Sequence, residues 1–349
     1  MRRTVVSSLA SLLTVAVVSG TAGLSSAQEP AAPKTPPKEA PKPAAAARNA
    51  PATGPEATGP APTMADVAYG THPKQVLHFW KADTKEPAPL LFYIHGGGWQ
   101  GGDRLRGFGP SVPNYLKEGI SVVSVEYRFI REAMADNVVP PVKGSLHDAA
   151  RALQFVRSKA KEWNIDKTRV AASGGSAGAC TSLWLAFHDD LADPKSDDPI
   201  ARESTRLLCA AVNGAQTTLD PQQMKEWTPN SKYGSHAFGI FKEVNGKPVT
   251  DFAMFLSERE RILPWIQEYS PYALVTSDDP PIYMSYGAPP ALGKDEKDPT
   301  HTANFGVKLQ EKLKEAGVPC ELVYPGAADV KHKRTVDYII DSLAAKPAK

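Results

Sequence analysis

The sequence predicts an α/β fold in which a mostly parallel sheet carries helices on both faces. Between residues 64 and 349, short runs rich in Val, Ile and Leu alternate with longer segments whose apolar residues recur at helical spacing. This alternation is typical of parallel strands joined by helices. In addition, two glycine-rich segments each come directly after one of the apolar runs. Because ligands bind at the carboxyl ends of parallel strands, these segments mark the predicted functional site.

The first 63 residues differ in composition from this predicted domain. Residues 1–27 combine Arg2 and Arg3 with an apolar run over 9–18 and small residues before Gln28, a pattern typical of a secretory signal peptide. An uncleaved anchor is the alternative, although the run is shorter than the roughly 20 residues that span a membrane. Residues 28–63 are dominated by Ala, Pro and Lys, which predicts a disordered linker. We therefore expect an exported protein, periplasmic or extracellular, without stable membrane insertion.

The charge balance and the cysteines exclude some classes of protein. The 349-residue chain has 40 Lys and Arg against 38 Asp and Glu, a formal net charge of +2, so nothing predicts a nucleic-acid partner. Its three cysteines, Cys180, Cys209 and Cys320, fall in predicted helix or strand segments. Since a core of this size needs no disulfide, we expect them to be small buried apolar side chains. The oligomeric state is not predicted.

Three buried strands and one long helix are predicted before residue 173. Residues 90–94 and 120–125 are continuous apolar runs, as expected for strands buried on both faces, and a third run covers 168–172. The helix over 145–163 carries apolar residues at helical spacing and ends near Asn164 or Asp166.

The third of these strands leads into the sequence SGGSAG, residues 173–178, and then into a helix-forming segment over 179–185. The pattern Gly174-x-Ser176-x-Gly178 predicts a sharp turn between strand and helix with the serine at its apex. Only small side chains fit beside the serine, where strand and helix cross closely. A hydroxyl exposed at a strand end, facing the amide-rich start of a helix, indicates a nucleophile.

The other glycine-rich segment, HGGGW over 95–99, follows the predicted strand at 90–94. Three successive glycines let backbone N–H groups approach a ligand oxygen without a Cβ in the way. In ester hydrolysis the carbonyl oxygen becomes an oxyanion, and one well-placed donor lowers the barrier by roughly 2.7–4 kcal/mol. We expect His95 to brace this loop by hydrogen bonding.

On these motifs the chain resembles the α/β-hydrolase esterases of the hormone-sensitive-lipase and feruloyl/acetyl-esterase-like (BD-FAE-like) branch. The resemblance runs from about Asp66 to the C-terminus. Besides the two glycine-rich segments, it rests on Tyr69-Gly70, Tyr127-Arg128, Asp148 and Pro325-Gly326. It implies an α/β-hydrolase fold and an oxyanion hole formed by Gly97, Gly98 and the N–H of Ala177. It implies no metal and no organic cofactor.

Downstream of the serine, strands are predicted at 207–212, 281–286 and 320–324, and helices at 303–316 and 335–344. The region 216–269 interrupts the alternation of predicted strands and helices and is rich in Pro, Asn and aromatic residues. An insertion there would lie over the strand ends, so we expect a lid-like wall of the substrate site; a packing decoration is the alternative.

A nucleophilic serine needs a base and an acid that orients the base. Relatives carry the acid after the next-to-last strand and the histidine a few residues beyond the Pro-Gly turn that follows the last strand. That histidine position holds Asp329 here, and the next histidine is His332. We therefore predict His332 as the base, with a solvated basic surface over 331–334 as the alternative. A swapped pair, His301 as base and Asp329 as acid, breaks the family order.

The acid is displaced as well, because Gly287-Ala288-Pro289-Pro290 follows the predicted strand at 281–286. The next loop offers Asp295, Glu296 and Asp298. We predict Asp298, which lies nearest the following helix, with Asp295 second. Asp298 can also be interpreted as a helix cap with His301 close behind.

These observations predict a secreted serine carboxylesterase. The resemblance and the predicted secretion imply that it acts on short-chain or carbohydrate-linked acyl esters, either small molecules or groups on a polysaccharide. Its predicted catalytic residues are Ser176, His332 and Asp298. Two other interpretations stay open. A degenerate hydrolase fold that binds a glycan or a partner would account for the displaced base and acid. A serine peptidase of the same fold is disfavoured, because no extra propeller or long N-terminal domain guards the site.

Overall fold

The computed structural model describes residues 59–105 and 108–344, so the predicted signal peptide and nearly all of the predicted linker lie outside the described residues. The strands in the described part are β1 (Met64–Ala68), β2 (Val76–Trp80), β3 (Ala88–Ile94), β4 (Ser121–Val125), β5 (Ile165–Gly175), β6 (Cys209–Asn213), β7 (Phe241–Val244), β8 (Lys247–Thr250), β9 (Ile282–Ser285) and β10 (Cys320–Val323).

The α-helices of the same residues are α1 (Val112–Leu116), α2 (Ile130–Ala135), α3 (Val142–Ser158), α4 (Ala160–Trp163), α5 (Ala177–Phe187), α6 (Pro221–Trp227), α7 (Phe252–Ser257), α8 (Arg259–Tyr269), α9 (Pro271–Leu274), α10 (Asn304–Ala316) and α11 (Thr335–Ala344). Two 3₁₀ helices cover Gly109–Ser111 and Ser235–Phe238.

Eight strands form the central sheet in the order β1-β2-β4-β3-β5-β6-β9-β10. The pairs from β4 to β10 are parallel, and β2 pairs antiparallel with both β1 and β4. The predicted α/β class with a mostly parallel sheet is confirmed. No prediction was made for β1 and β2, which form the antiparallel edge. The carboxyl ends of β5, β6 and β9 are adjacent, which brings their following loops together.

Both faces of the sheet are buried, because successive residues of a strand point to opposite sides. Phe92 and Val123 belong to the larger core cluster, which includes residues of α3, α5 and α10. Their neighbours Leu91 and Val122 belong to a second cluster, formed with residues of α1 and α11. This explains why β3 and β4 are continuous apolar runs.

The predicted strands and helices agree with the structure except in detail. The predicted helix over 145–163 is divided into α3 and α4, and it ends at Asn164, whose φ of +58° is left-handed. The helix predicted at 335–344 is α11. Cys180 and Cys209 are buried, Cys320 is half-buried, and all three are free thiols, as expected. Within residues 59–105 and 108–344, no helix is both long enough and apolar enough to cross a membrane.

The region 216–269, called here the insertion, contains α6, α7, α8 and the separate antiparallel hairpin of β7 and β8. Its apolar side chains, among them Trp227, Phe238 and Phe255, join the larger core cluster. Two of its side chains reach the glycine-rich loop after β3, since the rings of Tyr233 and His236 lie 6.3 and 6.1 Å from that of Trp99. A role as a lid stays a prediction.

Candidate active site

Ser176 occupies the sharp turn between β5 and α5. Its φ of +54° and ψ of −122° are strained for a residue with a side chain, and such strain costs of order 1–3 kcal/mol. The backbone N–H of Ser176 donates to the Asn213 carbonyl at the end of β6, at 3.0 Å, which fixes the turn. A Cβ at Gly178 would collide with the carbonyl oxygen of Ile94, so a larger residue there would separate α5 from β3. The predicted strand, turn and helix are therefore present, with the serine at the apex.

The side chain that meets this serine is His301. Its Nε2 lies 2.9 Å from the Ser176 Oγ, and its Nδ1 lies 2.8 Å from Oδ2 of Asp298. Asp298 and His301 both lie in the loop between β9 and α10, only three residues apart. This loop leaves the carboxyl edge of the sheet two strands away from β5, which is why it reaches the serine.

The loop is held by hydrogen bonds around the histidine. Asp298 Oδ1 accepts from the backbone N–H groups of Thr300 and His301, at 3.1 and 3.3 Å. The buried amide of Gln216 donates to the carbonyl of Thr300 at 2.7 Å and to that of Gly214 at 3.2 Å. Gln216 thus joins the chain after β6 to the residue that precedes the histidine.

The acid of this pair is open to solvent, since the side chain of Asp298 is 62% exposed and that of His301 is 40% exposed. Partial burial raises the pKa of Asp298. The hydrogen bond and charge of His301 and two backbone N–H donors lower it by more, so the pKa ends below its usual value. Asp298 is therefore a carboxylate at neutral pH. Asp295, the second candidate for the acid, lies three residues earlier and is exposed. The imidazole of His301 pairs with Asp298 instead.

The predicted placement of His332 beside Ser176 is wrong. The chain after β10 runs back along that strand, and Nδ1 of His332 lies 2.9 Å from Oε1 of Glu321 in β10. Its Nε2 lies 3.0 Å from Asp341 in α11, and the ring packs edge-on against Tyr338. Two carboxylates and an aromatic ring hold this histidine on the α11 face of the sheet, so it cannot reach the serine.

The acid of the swapped pair is also wrong. Asp329 is exposed in the turn after β10, with a φ of +53°. His301 pairs instead with Asp298, which combines the acid of the first prediction with the histidine of the alternative. The signal for His301 was its spacing of three residues from Asp298, directly before α10. The family order obscured it, because that order places the base after the last strand.

The glycine-rich loop after β3 has an unusual backbone. Gly97, Gly98 and Trp99 have φ values of +104°, +63° and +54° in succession. A Cβ at Gly97 would collide with the carbonyl of Gly101, whereas a Cβ at Gly98 would meet no atom closer than 3.7 Å. A Cβ at Gly96 would lie 3.3 Å from that of Ser176, so this loop runs directly beside the serine. The assignment of Gly97, Gly98 and Ala177 as oxyanion donors stays a prediction.

His95 braces this loop from behind. Its Nδ1 lies 2.8 Å from the carbonyl of Gly96, and its ring stacks on Tyr127 at 4.4 Å. Its Nε2 lies 3.3 Å from the buried carboxylate of Glu126, which also contacts Lys74 at 3.2 Å. Burial raises the pKa of Glu126, but its hydrogen bond to His95 and the charges of His95 and Lys74 lower it, and the pKa ends below its usual value. Sequence reasoning did not find this carboxylate.

The insertion contacts the loop at Gly98. The position of a Cβ at Gly98 is 3.7 Å from Nε2 of His236 and 3.9 Å from the ring of Tyr233. His236 is 2% exposed, and burial lowers its pKa to about 4, an effect that the backbone of Gly98 partly opposes. It is therefore a neutral imidazole at physiological pH. Across the described ranges, 59–105 and 108–344, no group of His, Cys, Asp and Glu side chains is arranged to hold a metal ion.

Comparison with known proteins places this geometry in a family. The BD-FAE family model matches residues 78–312, about two thirds of the chain. Among characterised relatives, Gut esterase 1 of Caenorhabditis elegans is 33% identical over 119 residues, which cover 32% of this chain and 20% of the relative. Carboxylesterase NlhH of Mycobacterium tuberculosis is 30% identical over 112 residues, which cover 31% of this chain and 32% of the relative. The chain thus spans about a fifth to a third of these relatives.

Solved structures show the same fold over more of the chain. The acetyl ester-xyloside bifunctional hydrolase of Caldicellulosiruptor lactoaceticus has a TM-score of 0.54 at 22% identity, and covers 76% of this chain and 86% of its own. Esterase 2 of Thermogutta terrifontis, phosphonylated by sarin, has a TM-score of 0.55 at 23% identity, and covers 78% and 90%. The predicted α/β-hydrolase fold is confirmed. With a family model that matches most of the domain, this chain belongs to the BD-FAE family.

Proposed function

We propose that this protein is a serine carboxylic ester hydrolase whose triad is Ser176, His301 and Asp298. The observation that carries the proposal is the continuous chain of hydrogen bonds from the serine hydroxyl through the imidazole to the carboxylate, at 2.9 and 2.8 Å. Nucleophile, base and acid within hydrogen-bond reach are the signature of an activated serine. The BD-FAE match at residues 78–312 includes all three residues.

The hydrogen-bond partners of His301 support the following proton transfers. Asp298 accepts from Nδ1–H of His301, so Nε2 carries the lone pair that faces the hydroxyl. As the Ser176 Oγ attacks the ester carbonyl carbon, Nε2 takes the hydroxyl proton, and it returns that proton to the departing alcohol. Water then attacks the acyl-serine and gives a proton to the same nitrogen, which passes it to the Ser176 Oγ as the acyl–oxygen bond breaks and the carboxylic acid is released. The ionised Asp298 stabilises the imidazolium in both halves of the reaction.

In the same proposal, the N–H groups of Gly97, Gly98 and Ala177 stabilise the oxyanion of each tetrahedral intermediate. Two features support it: the loop after β3 runs beside the serine, and α5 begins at Ala177 with its N-terminal amide groups and positive dipole end at that point. Trp99, beside one part of the proposed hole, and Ala177, in the other, are both fully buried.

For the substrate, we propose short-chain acyl groups on a small or carbohydrate alcohol. Support comes from neighbours described as an acetyl ester-xyloside hydrolase and as a carbohydrate esterase from gut microbiota. Asp298 and His301 are exposed, so the proposed triad is open to solvent on that side, which suits an alcohol that is part of a larger molecule. The composition of residues 1–27 and 28–63 supports export with a linker. The intact hydrogen-bond chain argues against a degenerate site.

A fluorophosphonate probe and a chromogenic acetyl ester test this proposal. We expect the probe to add one adduct, located by mass at Ser176, and Ser176→Ala to abolish both the adduct and the turnover. Turnover of acetylated xylan against acetylated small alcohols then ranks the substrate classes. A well-folded protein without adduct or turnover at any pH between about 6 and 9 would contradict the hydrolase and favour a binding module.

A further inference from the structure

The proposed oxyanion hole is assembled from two separate pieces of the chain. Gly97 and Gly98 belong to the loop after β3, and Ala177 begins α5, about 80 residues later. Donors must lie about 2.7–3.1 Å from the oxyanion to stabilise it, so a shift of one piece against the other is costly. Something must set the distance between the two pieces.

One side chain connects them by hydrogen bonds. The indole Nε1–H of Trp99, the residue after Gly98, donates to Oγ1 of Thr181 at 3.0 Å. The Thr181 hydroxyl in turn donates to the carbonyl of Ala177 at 2.8 Å. The chain of contacts therefore begins beside one pair of proposed donors and ends on the residue that supplies the other.

A hydroxyl is the group that this position requires. It has one proton to give and lone pairs to accept, so Thr181 can donate to Ala177 and accept from Trp99 at once. Trp99 is 0% exposed and Thr181 is 1% exposed, so water cannot replace either bond. A valine of similar shape would leave both the indole N–H and part of the Ala177 carbonyl capacity unsatisfied in the core.

Trp99 transmits this restraint to the loop because its own backbone is held. Its φ of +54° is left-handed, and its carbonyl accepts from the N–H of Ile130 at 2.8 Å. The residue is thus fixed by its main chain to the start of α2 and by its side chain to α5. Gly98, directly before it, has no side chain that could anchor the loop independently.

We propose that Thr181 is a positioning residue which, through Trp99 and Ala177, sets the spacing of the two halves of the oxyanion hole. This inference rests on the proposed esterase function, and it adds a residue that does not touch the substrate. If the two halves of the oxyanion hole are wrongly spaced, the hydrogen bonds to the oxyanion, which form mainly in the transition state, become weaker. Wrong spacing should therefore lower kcat and kcat/KM equally and leave KM unchanged.

The test is Thr181→Val, compared with Thr181→Ser, in steady-state hydrolysis of a chromogenic acetyl ester. We expect valine to lower kcat about 10- to 100-fold at constant KM, less than the loss of a whole donor, and serine to restore most of it. A trifluoromethyl ketone, which forms an oxyanion on the serine, should bind more weakly to the valine variant by the same factor. Trp99→Phe, which removes the donor from the other side, should show the same pattern.

The matched control is Ser182→Ala. The Ser182 hydroxyl is fully buried and donates to the carbonyl of Gly178 at 2.8 Å. This is the same type of contact one residue further along α5, but it does not involve Trp99, which donates to Thr181. We expect kcat within about threefold of the wild type. Ser182→Ala removes one buried hydrogen bond and Thr181→Val removes two, so both variants should lower the unfolding temperature, Thr181→Val by more.

The outcomes separate this inference from the proposed function. A wild-type protein that neither hydrolyses the ester nor reacts with the fluorophosphonate would overturn both. An active wild type whose Thr181→Val variant keeps its kcat and its ketone affinity would overturn the positioning role alone. The same holds if Ser182→Ala loses as much activity as Thr181→Val, since the effect would then reflect general destabilisation of α5.

Discussion

Nε2 of His301 lies 2.9 Å from the Oγ of Ser176, although the two residues are 125 positions apart in the sequence. They meet because β5 and β9 are both parallel strands with only β6 between them. The loops that follow their carboxyl ends therefore share one edge of the sheet. The proposed acid, Asp298, lies in the same loop as the histidine, so a single short segment supplies two of the three groups of the proposed triad.

The first prediction separates the two histidines. His301→Ala should lower kcat about as far as Ser176→Ala does, because triad members act as a unit. His332→Ala should leave kcat within a few-fold of the wild type, since that side chain pairs with Glu321 and Asp341. Steady-state kinetics on a chromogenic ester measure both. Loss of turnover in His332→Ala at a temperature where the variant is folded would contradict the triad proposed here.

The difference between the two histidines also shows what the sequence could predict. The strands and helices around the nucleophile follow from local patterns, and so do the two glycine-rich segments and Asp298. The choice between the two histidines does not, because His332 is removed from the serine by the path of the chain after β10. That path is set by the contacts of His332 with Glu321 in β10 and Asp341 in α11, which involve two elements and leave no local pattern. Positioning residues such as Gln216 and Thr181 were missed for the same reason.

The second prediction concerns the acid. Asp298→Asn should lower kcat by about 10²- to 10⁴-fold, because an amide can donate to Nδ1 of His301 and so favour the tautomer whose Nε2 cannot accept the serine proton. The matched control is Asp295→Asn, a similar exposed carboxylate three residues earlier, which should change kcat little. Equal losses in both variants would indicate a general electrostatic effect of the loop rather than a specific acid.

The third prediction uses the two glycines of the loop after β3. Gly97→Ala introduces a methyl group that collides with the carbonyl of Gly101, so the loop must move and we expect a loss of about 100- to 1,000-fold in kcat, equivalent to one oxyanion donor. In Gly98→Ala, the new methyl carbon would lie at least 3.7 Å from the nearest atoms. Only the left-handed φ of this residue is unfavourable for alanine, by about 1–2 kcal/mol.

We therefore expect Gly98→Ala to retain much more activity than Gly97→Ala. Kinetics with a poor and a good leaving group, together with the unfolding temperature, measure the difference. The reverse order would mean that the donor geometry depends on Gly98 rather than on the shape of the whole loop.

The last prediction concerns stability against pH, where two buried histidines have opposite effects. Burial lowers the pKa of His236 to about 4. Below about pH 6.5, His236 binds a proton in the unfolded chain but stays neutral in the folded protein. The free energy of unfolding therefore falls as the pH drops from 6.5 towards 4. The full effect of this shift is on the order of 3 kcal/mol. A variant with a neutral residue at this position, His236→Gln, should lose less stability than the wild type over that interval.

For His332, burial lowers the pKa, but the hydrogen bonds to Asp341 and Glu321 outweigh burial and raise it above its ordinary value. Here the folded protein holds the proton more tightly than the unfolded chain does. The stabilisation is therefore complete below about pH 6.5 and is lost as the pH rises through the folded pKa. His332→Gln should consequently be most destabilising in acid and approach the wild type at higher pH. Urea unfolding from pH 4.5 to 9 measures the free energy of unfolding of both variants and of the wild type. If the curve of each variant against pH runs parallel to that of the wild type, neither histidine is linked to folding in this way.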